Sequence, residues 1–277
     1  MRSLILNADD YGLTRGVSQG IRYAFSFGVL SSATAMTNIP GAARGLEIAK
    51  RDTPYLPIGV HLTLTVGKPL SPAEKVPTLV DGEGHFFSRE SFLARLDSIN
   101  PEEAGLEFRA QIDALRLPGI QPDHLDSHHF ASYLSPGLLN QMLLLAEEYH
   151  LAVRPPAGCD GSITDLFPGL PESVAAFLQS DAQALIRRAS IPTADRLYLT
   201  FFEKTATQKH LTWILSSLPD GVSEIMCHPG MSDGELRAVS DYAEERGYEL
   251  DILTESGLPG MLKMHDIRLV SYGTLNA

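Results

Sequence analysis

The chain has 277 residues, 44% of them hydrophobic and 20% charged, a balance that can bury a sizeable core in one large α/β domain or two smaller ones. A formal net charge of −12 disfavours nucleic acid and anionic lipid as partners and favours a neutral or cationic small molecule. Two cysteines, Cys159 and Cys227, are too few and too far apart for a disulfide framework or a four-cysteine zinc site. The apolar run at Leu4-Ile5-Leu6 turns polar at Asn7, too soon for a signal peptide, and no stretch approaches the length of a membrane span. A cytoplasmic protein is expected. In chain order, strands are predicted at residues 4–8, 32–37, 58–65, 124–128, 151–154, 196–202, 223–228, 250–253 and 267–271. Helical spacing of apolar residues predicts helices at 17–27, 42–51, 102–115, 138–150, 172–188, 207–218 and 234–246.

This alternation implies a mostly parallel sheet covered by helices, and roughly eight strand–helix units favour a closed or nearly closed barrel over an open sheet. No glycine-rich phosphate fingerprint follows the first strand, which weighs against a dinucleotide fold. One domain over residues 1–277 is expected, with the Gly- and Pro-rich stretches 66–89 and 157–171 as loops over the site.

In such an architecture the chemistry collects at the C-terminal ends of the strands. Asn7-Ala8-Asp9-Asp10-Tyr11-Gly12 leaves the first strand with two adjacent carboxylates. Like charges in low dielectric oppose each other, so a metal ion that keeps one ionised, with the other free as a base, explains the pair better than helix capping. Thr14 and Ser18 are available for capping. His61, in Gly59-Val60-His61-Leu62, reads as a core histidine by itself and gains meaning only beside the others. Asp123-His124-Leu125-Asp126-Ser127-His128-His129 crowds three histidines and two aspartates into seven residues that suit a strand poorly. His124, Asp126 and His128 share one face of an extended segment, yet at roughly 3.3 Å per residue the two histidines stand about 13 Å apart, too far to share an ion. His128, nearer the strand's end, is the better ligand, and Asp126 is placed to accept an imidazole N–H. Pro229 keeps His228 extended at the mouth of its strand, poised for acid–base work, while Cys227 points to the other face.

An Asp, His, His ligand set with a spare carboxylate and a spare histidine describes a catalytic site for an ion such as Zn²⁺. No GxSxG elbow or HExxH pair competes with it.

These motifs, with Thr37-Asn38, Met226-Cys227-His228-Pro229 and the terminal Ser271-Tyr272, resemble those of the YdjC/ChbG family of carbohydrate deacetylases from Leu4 to about Tyr272. The resemblance implies a deformed (β/α) barrel related to the polysaccharide deacetylase superfamily, often dimeric. It implies one divalent ion, Zn²⁺ or Mg²⁺, on Asp10, His61 and His128, with Asp9 as base and His228 as acid. The substrate class it implies is N-acetyl amino sugars, chitooligosaccharides such as diacetylchitobiose among them, and substrate contacts are expected at Tyr11, Asp126, His129 and Phe130. Tyr11, Phe86, Phe87, Phe130 and Tyr133 are candidates to stack on sugar rings. Phe130 stands where family members commonly carry a further histidine, which bears on the sugar subsite. The alternatives are a metal-dependent hydrolase of another amide or an ester, and a sugar-binding protein without catalysis.

Overall fold

The computed structural model describes residues 1–160 and 169–276. Eight parallel strands form the sheet: β1 (Arg2–Tyr11), β2 (Ser32–Ala35), β3 (Ile58–Leu62), β4 (His124–Ser127), β5 (Ala152–Val153), β6 (Arg196–Tyr198), β7 (Gly221–Cys227) and β8 (Ile267–Leu269). Their order is β5-β4-β3-β2-β1-β7-β6, with β8 beside β1. One edge of β1 pairs with β7 from Arg2 to Ala8. Its other edge is divided, the lower half (Arg2 to Leu4) pairing with β8 and the upper half (Asn7, Ala8, Tyr11) with β2. The two ends of the path curl towards each other: Val153 of β5 bridges to Thr193, its N–H donating to the Pro192 carbonyl at 2.9 Å.

The helices lie outside this curved sheet. They are α1 (Arg15–Phe27), α2 (Ala42–Asp52), α3 (Arg89–Ala94), α4 (Pro101–Arg116), α5 (Pro136–Tyr149), α6 (Glu172–Gln179), α7 (Asp181–Ala189), α8 (Gln208–Ser217), α9 (Gly234–Val239), α10 (Glu244–Leu253) and α11 (Leu258–Met264). Among the described residues no helix is long and apolar enough to cross a membrane.

Alternation along β1 explains how a barrel forms around polar groups. Leu4, Leu6 and Ala8 face outward into the main core beneath the helices. Ile5 faces inward and packs with Ala152, Val270 and Tyr272 at the floor of the barrel. Asn7 and Asp9, two and four residues further on, therefore also point inward. The same rule sends Val60 and Leu62 out and His61 in, and Leu125 out and His124 and Asp126 in. Gly59 is required where β3 passes His124: a Cβ there would lie 2.4 Å from the imidazole Nδ1.

Three expectations about elements are corrected. Residues 250–253 are the last turn of α10, not a strand. Leu250 and Leu253 are both buried at a spacing of three while Asp251 is exposed, a helical pattern in a run too short to show its period. The helix expected at 234–246 is two helices, α9 and α10, because Ser240 is extended (φ −151°, ψ 133°) and its hydroxyl accepts the Tyr242 N–H. The helix expected at 172–188 is likewise divided, at Ser180. The stretch 66–89 is largely irregular, as expected of a loop: Val66 lines the cavity described below, and Val76, Leu79 and Phe86 anchor the stretch in the main core.

Candidate active site

The inward-facing residues at the upper ends of the strands converge on one cavity of about 330 Å³. Adjacent residues in a regular strand point to opposite faces, so Asp9 and Asp10 should diverge. They do not, because the β1–β2 register shifts between Ala8 and Tyr11 and Asp10 adopts φ +70°. The irregularity turns both carboxylates towards the cavity.

His61 is fixed from behind. Its Nδ1 lies 2.6 Å from Asp126 Oδ1, and Thr34 Oγ1 donates to Asp126 Oδ2 at 3.0 Å. This orients Nε2 towards Asp10 Oδ1, 3.2 Å away. His128 follows β4, and its Nδ1 stands 3.0 Å from Asp10 Oδ1 and 3.3 Å from His61 Nε2. Three atoms of ligand type thus form a triangle with sides of 3.0–3.3 Å. Ligands bonded to one small divalent ion at about 2.0–2.1 Å stand at comparable separations, roughly 2.9 Å apart in octahedral and 3.4 Å in tetrahedral coordination. The second Asp10 oxygen is taken by Arg246 Nη2 at 2.5 Å, which leaves Oδ1 as the free donor. Asp10, His61 and His128 can therefore hold a metal ion. The electrostatics agree. Burial alone lowers the pKa of His61, but the carboxylates of Asp126 and Asp10 outweigh it and lift it to about 10, so the site stabilises added positive charge.

Asp9 is not part of that triangle. Both of its oxygens accept from Arg154, each at 2.6 Å, and Asn7 Nδ2 donates to Oδ1 at 2.9 Å. Burial pushes its pKa up, yet the guanidinium overrides this and holds the carboxyl well below the usual carboxylate range. His228 Nε2 lies 3.9 Å from Asp9 Oδ2, and His228 Nδ1 is buried without a hydrogen-bond partner among the described residues. Burial lowers the His228 pKa to about 4, Asp9 opposing and Arg246 reinforcing the shift. Its imidazole is neutral at pH 7.

The expected substrate contacts fare unequally. His129 and Phe130 line the cavity. Their adjacent positive φ angles, 52° and 55°, turn the chain sharply after His128. His129 Nδ1 meets Thr65 Oγ1 at 3.0 Å, and burial together with the neighbouring His128 lowers its pKa to about 2. Tyr11 does not reach the cavity: it is fully buried, its hydroxyl donates to the Gly45 carbonyl at 2.7 Å and accepts from Arg22 at 2.8 Å. Asp126 is also fully buried, behind His61, and serves that imidazole instead of a ligand. Among the aromatic candidates, Phe86 is in the core and Tyr133 is buried with its hydroxyl on the Arg154 carbonyl. Phe87 lies against Arg95, outside the cavity lining. His124 stacks on Tyr272 at 4.0 Å, lower in the barrel. Cys227 is buried, its thiol against the Asn7 carbonyl. Of the expected loop 157–171, residues 161–168 lie outside the described residues.

Four residues at the site escape the sequence reading. Arg154 is 1% exposed and joins Asp9 to Asp126 (2.8 Å) and Glu224 (2.8 Å). A charged residue ending the apolar run Leu151-Ala152-Val153, just before two prolines, was its signal. Arg246 sits on a buried helix face that resembles a solvated one in sequence. Phe202 and Tyr242 form a wall of the cavity.

The model of the YdjC-like protein family matches residues 3–264. A protein of Thermoanaerobacter pseudethanolicus named carbohydrate deacetylase is 34% identical over 275 residues, covering 99% of this chain and 100% of that relative. The crystal structure of an Enterococcus faecalis V583 protein, whose description proposes cleavage of cellobiose phosphate, superposes with a TM-score of 0.86 at 33% identity over 99% of this chain and 98% of that one. The Xyl-CE4 domain of a multidomain xylanase from the hindgut metagenome of Trinervitermes trinervoides reaches a TM-score of 0.50 at 8% identity, covering 99% of this chain and 89% of that one, a likeness of fold alone. With a family match across nearly its whole length and a relative that shares a third of its residues, the chain belongs to the YdjC-like protein family.

Proposed function

We propose that the chain is a carbohydrate deacetylase that removes N-acetyl groups from amino sugars such as short chitooligosaccharides, with one divalent ion held by Asp10, His61 and His128. The observation that carries this reading is the triangle of ligand atoms on those three residues, with an ionised carboxylate and a neutral imidazole on its flank. Two imidazoles with one carboxylate suit Zn²⁺ or a similar transition ion better than Mg²⁺. When bound, such an ion acidifies water and polarises the acetyl carbonyl.

The chain's own residues then have separate tasks. Asp9 accepts the proton of the attacking water, and its two bonds from Arg154 fix the direction in which it does so. A carboxylate held so acidic does not retain the proton. The proton passes from Asp9 to the neutral imidazole of His228, 3.9 Å away, which delivers it to the nitrogen that departs. The water oxygen bonds to the acetyl carbon, the C–N bond breaks, and the products are acetate and a free amine. Arg246 keeps Asp10 ionised and leaves it one free oxygen. Phe130, Phe202 and Tyr242 give the cavity apolar faces of the kind that pack against pyranose rings.

The test is acetate release from mono-, di- and trimeric N-acetylglucosamine with Zn²⁺, Co²⁺, Mn²⁺ and Mg²⁺ supplied separately. Free acetate from at least one oligomer is expected. Hydrolysis of an unrelated ester or amide with no acetate from any sugar assigns the site to a different metal-dependent hydrolase.

A further inference from the structure

Glu249 is a fully buried acid on α10 for which the chemistry above has no use. Its Oε2 accepts the backbone N–H of His228 at 2.5 Å, and its Oε1 accepts the hydroxyl of Tyr242. The Tyr242 oxygen in turn accepts the N–H of Glu203 at 2.9 Å. Glu203 holds φ at +50°, a conformation costly for a residue with a side chain, which persists where its surroundings fix it. One hydrogen-bonded chain thus joins the segment after β6, the turn before α10 and the segment after β7 that bears the acid histidine.

The rings follow the same plan. Phe202 stacks on Tyr242 with centroids 4.6 Å apart, and both lie against the His228 imidazole at 5.2 and 5.8 Å. All three line the cavity. Since His228 Nδ1 has no hydrogen-bond partner among the described residues, the imidazole takes its place from this aromatic packing and from its anchored backbone. Burial raises the Glu249 pKa to about 7, and the bonds it accepts from the Tyr242 hydroxyl and the His228 N–H oppose that shift.

We propose that Tyr242 and Glu249 form a positioning pair for His228, and that the Phe202–Tyr242 wall receives the sugar ring whose nitrogen His228 protonates. The proposal rests on the deacetylase reading for its substrate. Its structural half stands apart from it. The leaving nitrogen is attached to the sugar, so the surface that holds the ring lies beside the acid. One network then sets both the acid's aim and the face of the ring it serves.

The experiment compares Tyr242→Phe, Glu249→Leu, Glu249→Gln and Phe202→Leu with the native enzyme on N,N′-diacetylchitobiose, with metal content measured throughout. Tyr242→Phe keeps the ring and loses the link, so kcat falls about ten- to hundredfold with KM little changed. Glu249→Leu falls further, and Glu249→Gln, which still accepts the His228 N–H, recovers much of the loss. Phe202→Leu raises KM about tenfold with a smaller change in kcat. Hydrogen exchange is followed over residues 200–205 and 226–232, and it should quicken in Tyr242→Phe and Glu249→Leu only there. Native kcat and unchanged exchange in Tyr242→Phe overturn the positioning role. Equal loss of kcat and affinity, with exchange raised throughout the chain, also overturns it, in favour of a general structural role. If the native enzyme releases no acetate, the deacetylase reading fails, and the exchange results still decide the positioning pair.

Discussion

Arg154 and Asp9 meet inside the barrel through two parallel hydrogen bonds of 2.6 Å, the arginine 1% and the aspartate 2% exposed. A guanidinium fork matches a carboxylate in this way and fixes its plane as well as its charge. The same guanidinium reaches Asp126, which orients His61, and Glu224, whose other oxygen accepts the Tyr272 hydroxyl. The proposed base and one proposed metal ligand are therefore set by a single cation. Burial raises the pKa of Glu224, against the pull of that guanidinium.

Removing that cation leaves buried carboxylates unpaired. Arg154→Met should destabilise the fold by about 3–5 kcal/mol, the range for breaking one partner out of a buried ion pair. Arg154→Lys should fall between, because one ammonium cannot reproduce the fork. Denaturant unfolding at pH 7 measures both. A loss below about 1 kcal/mol in the methionine variant would mean that Arg154 does not hold the interior together.

Proton transfer and metal binding are assigned to different residues, and the assignments separate experimentally. Asp9→Asn and His228→Ala should retain their metal and lose about 10²–10⁴-fold in turnover. Elemental analysis beside steady-state kinetics reads both quantities. Near-native turnover in either variant removes that residue from catalysis.

Acid should weaken the fold through His228. Its pKa is lowered to about 4 inside the protein, against 6.5 for an ordinary histidine, with burial as the main cause. As pH falls below about 6.5 the unfolded chain takes up this proton first, so stability present above that pH is lost on the way to 4. At pH 4.5 the loss from this group amounts to about 2–3 kcal/mol. Unfolding free energies at pH 7 and 4.5 should differ by that much more in the native protein than in His228→Gln. An equal difference in both proteins contradicts the buried, neutral state of His228.

The parallel barrel was legible because long alternations of strand and helix are robust, and Asp9, Asp10, His61, His128 and His228, which the fold gathers around one cavity, stood out because polar residues at strand ends are conspicuous. It failed where side chains act from elements that look ordinary. Arg246 and Glu249 belong to a helix whose acidic and basic residues read as a solvent face, and only the tertiary packing shows that Arg246 lines the cavity and Glu249 holds the His228 backbone behind it. Tyr11 illustrates the opposite error. It adjoins the two aspartates in sequence, but the bulge that turns Asp9 and Asp10 inward leaves Tyr11 packed beneath α2 with its hydroxyl on Gly45. The kinks at Ser180 and Ser240 have no strong breaker in sequence, so the divided helices read as single ones.

The central claim is that Asp10, His61 and His128 together hold an ion on which acetyl removal depends. The direct measurement is acetate release from N,N′-diacetylchitobiose by the native enzyme, His61→Ala and His128→Ala, before and after chelation and with Zn²⁺ restored, with bound metal quantified in each sample. Chelation should abolish release by the native enzyme and Zn²⁺ should restore it. Both variants should bind less metal and stay inactive. Undiminished acetate release by chelated, metal-free enzyme, or full metal occupancy in either variant, would contradict it.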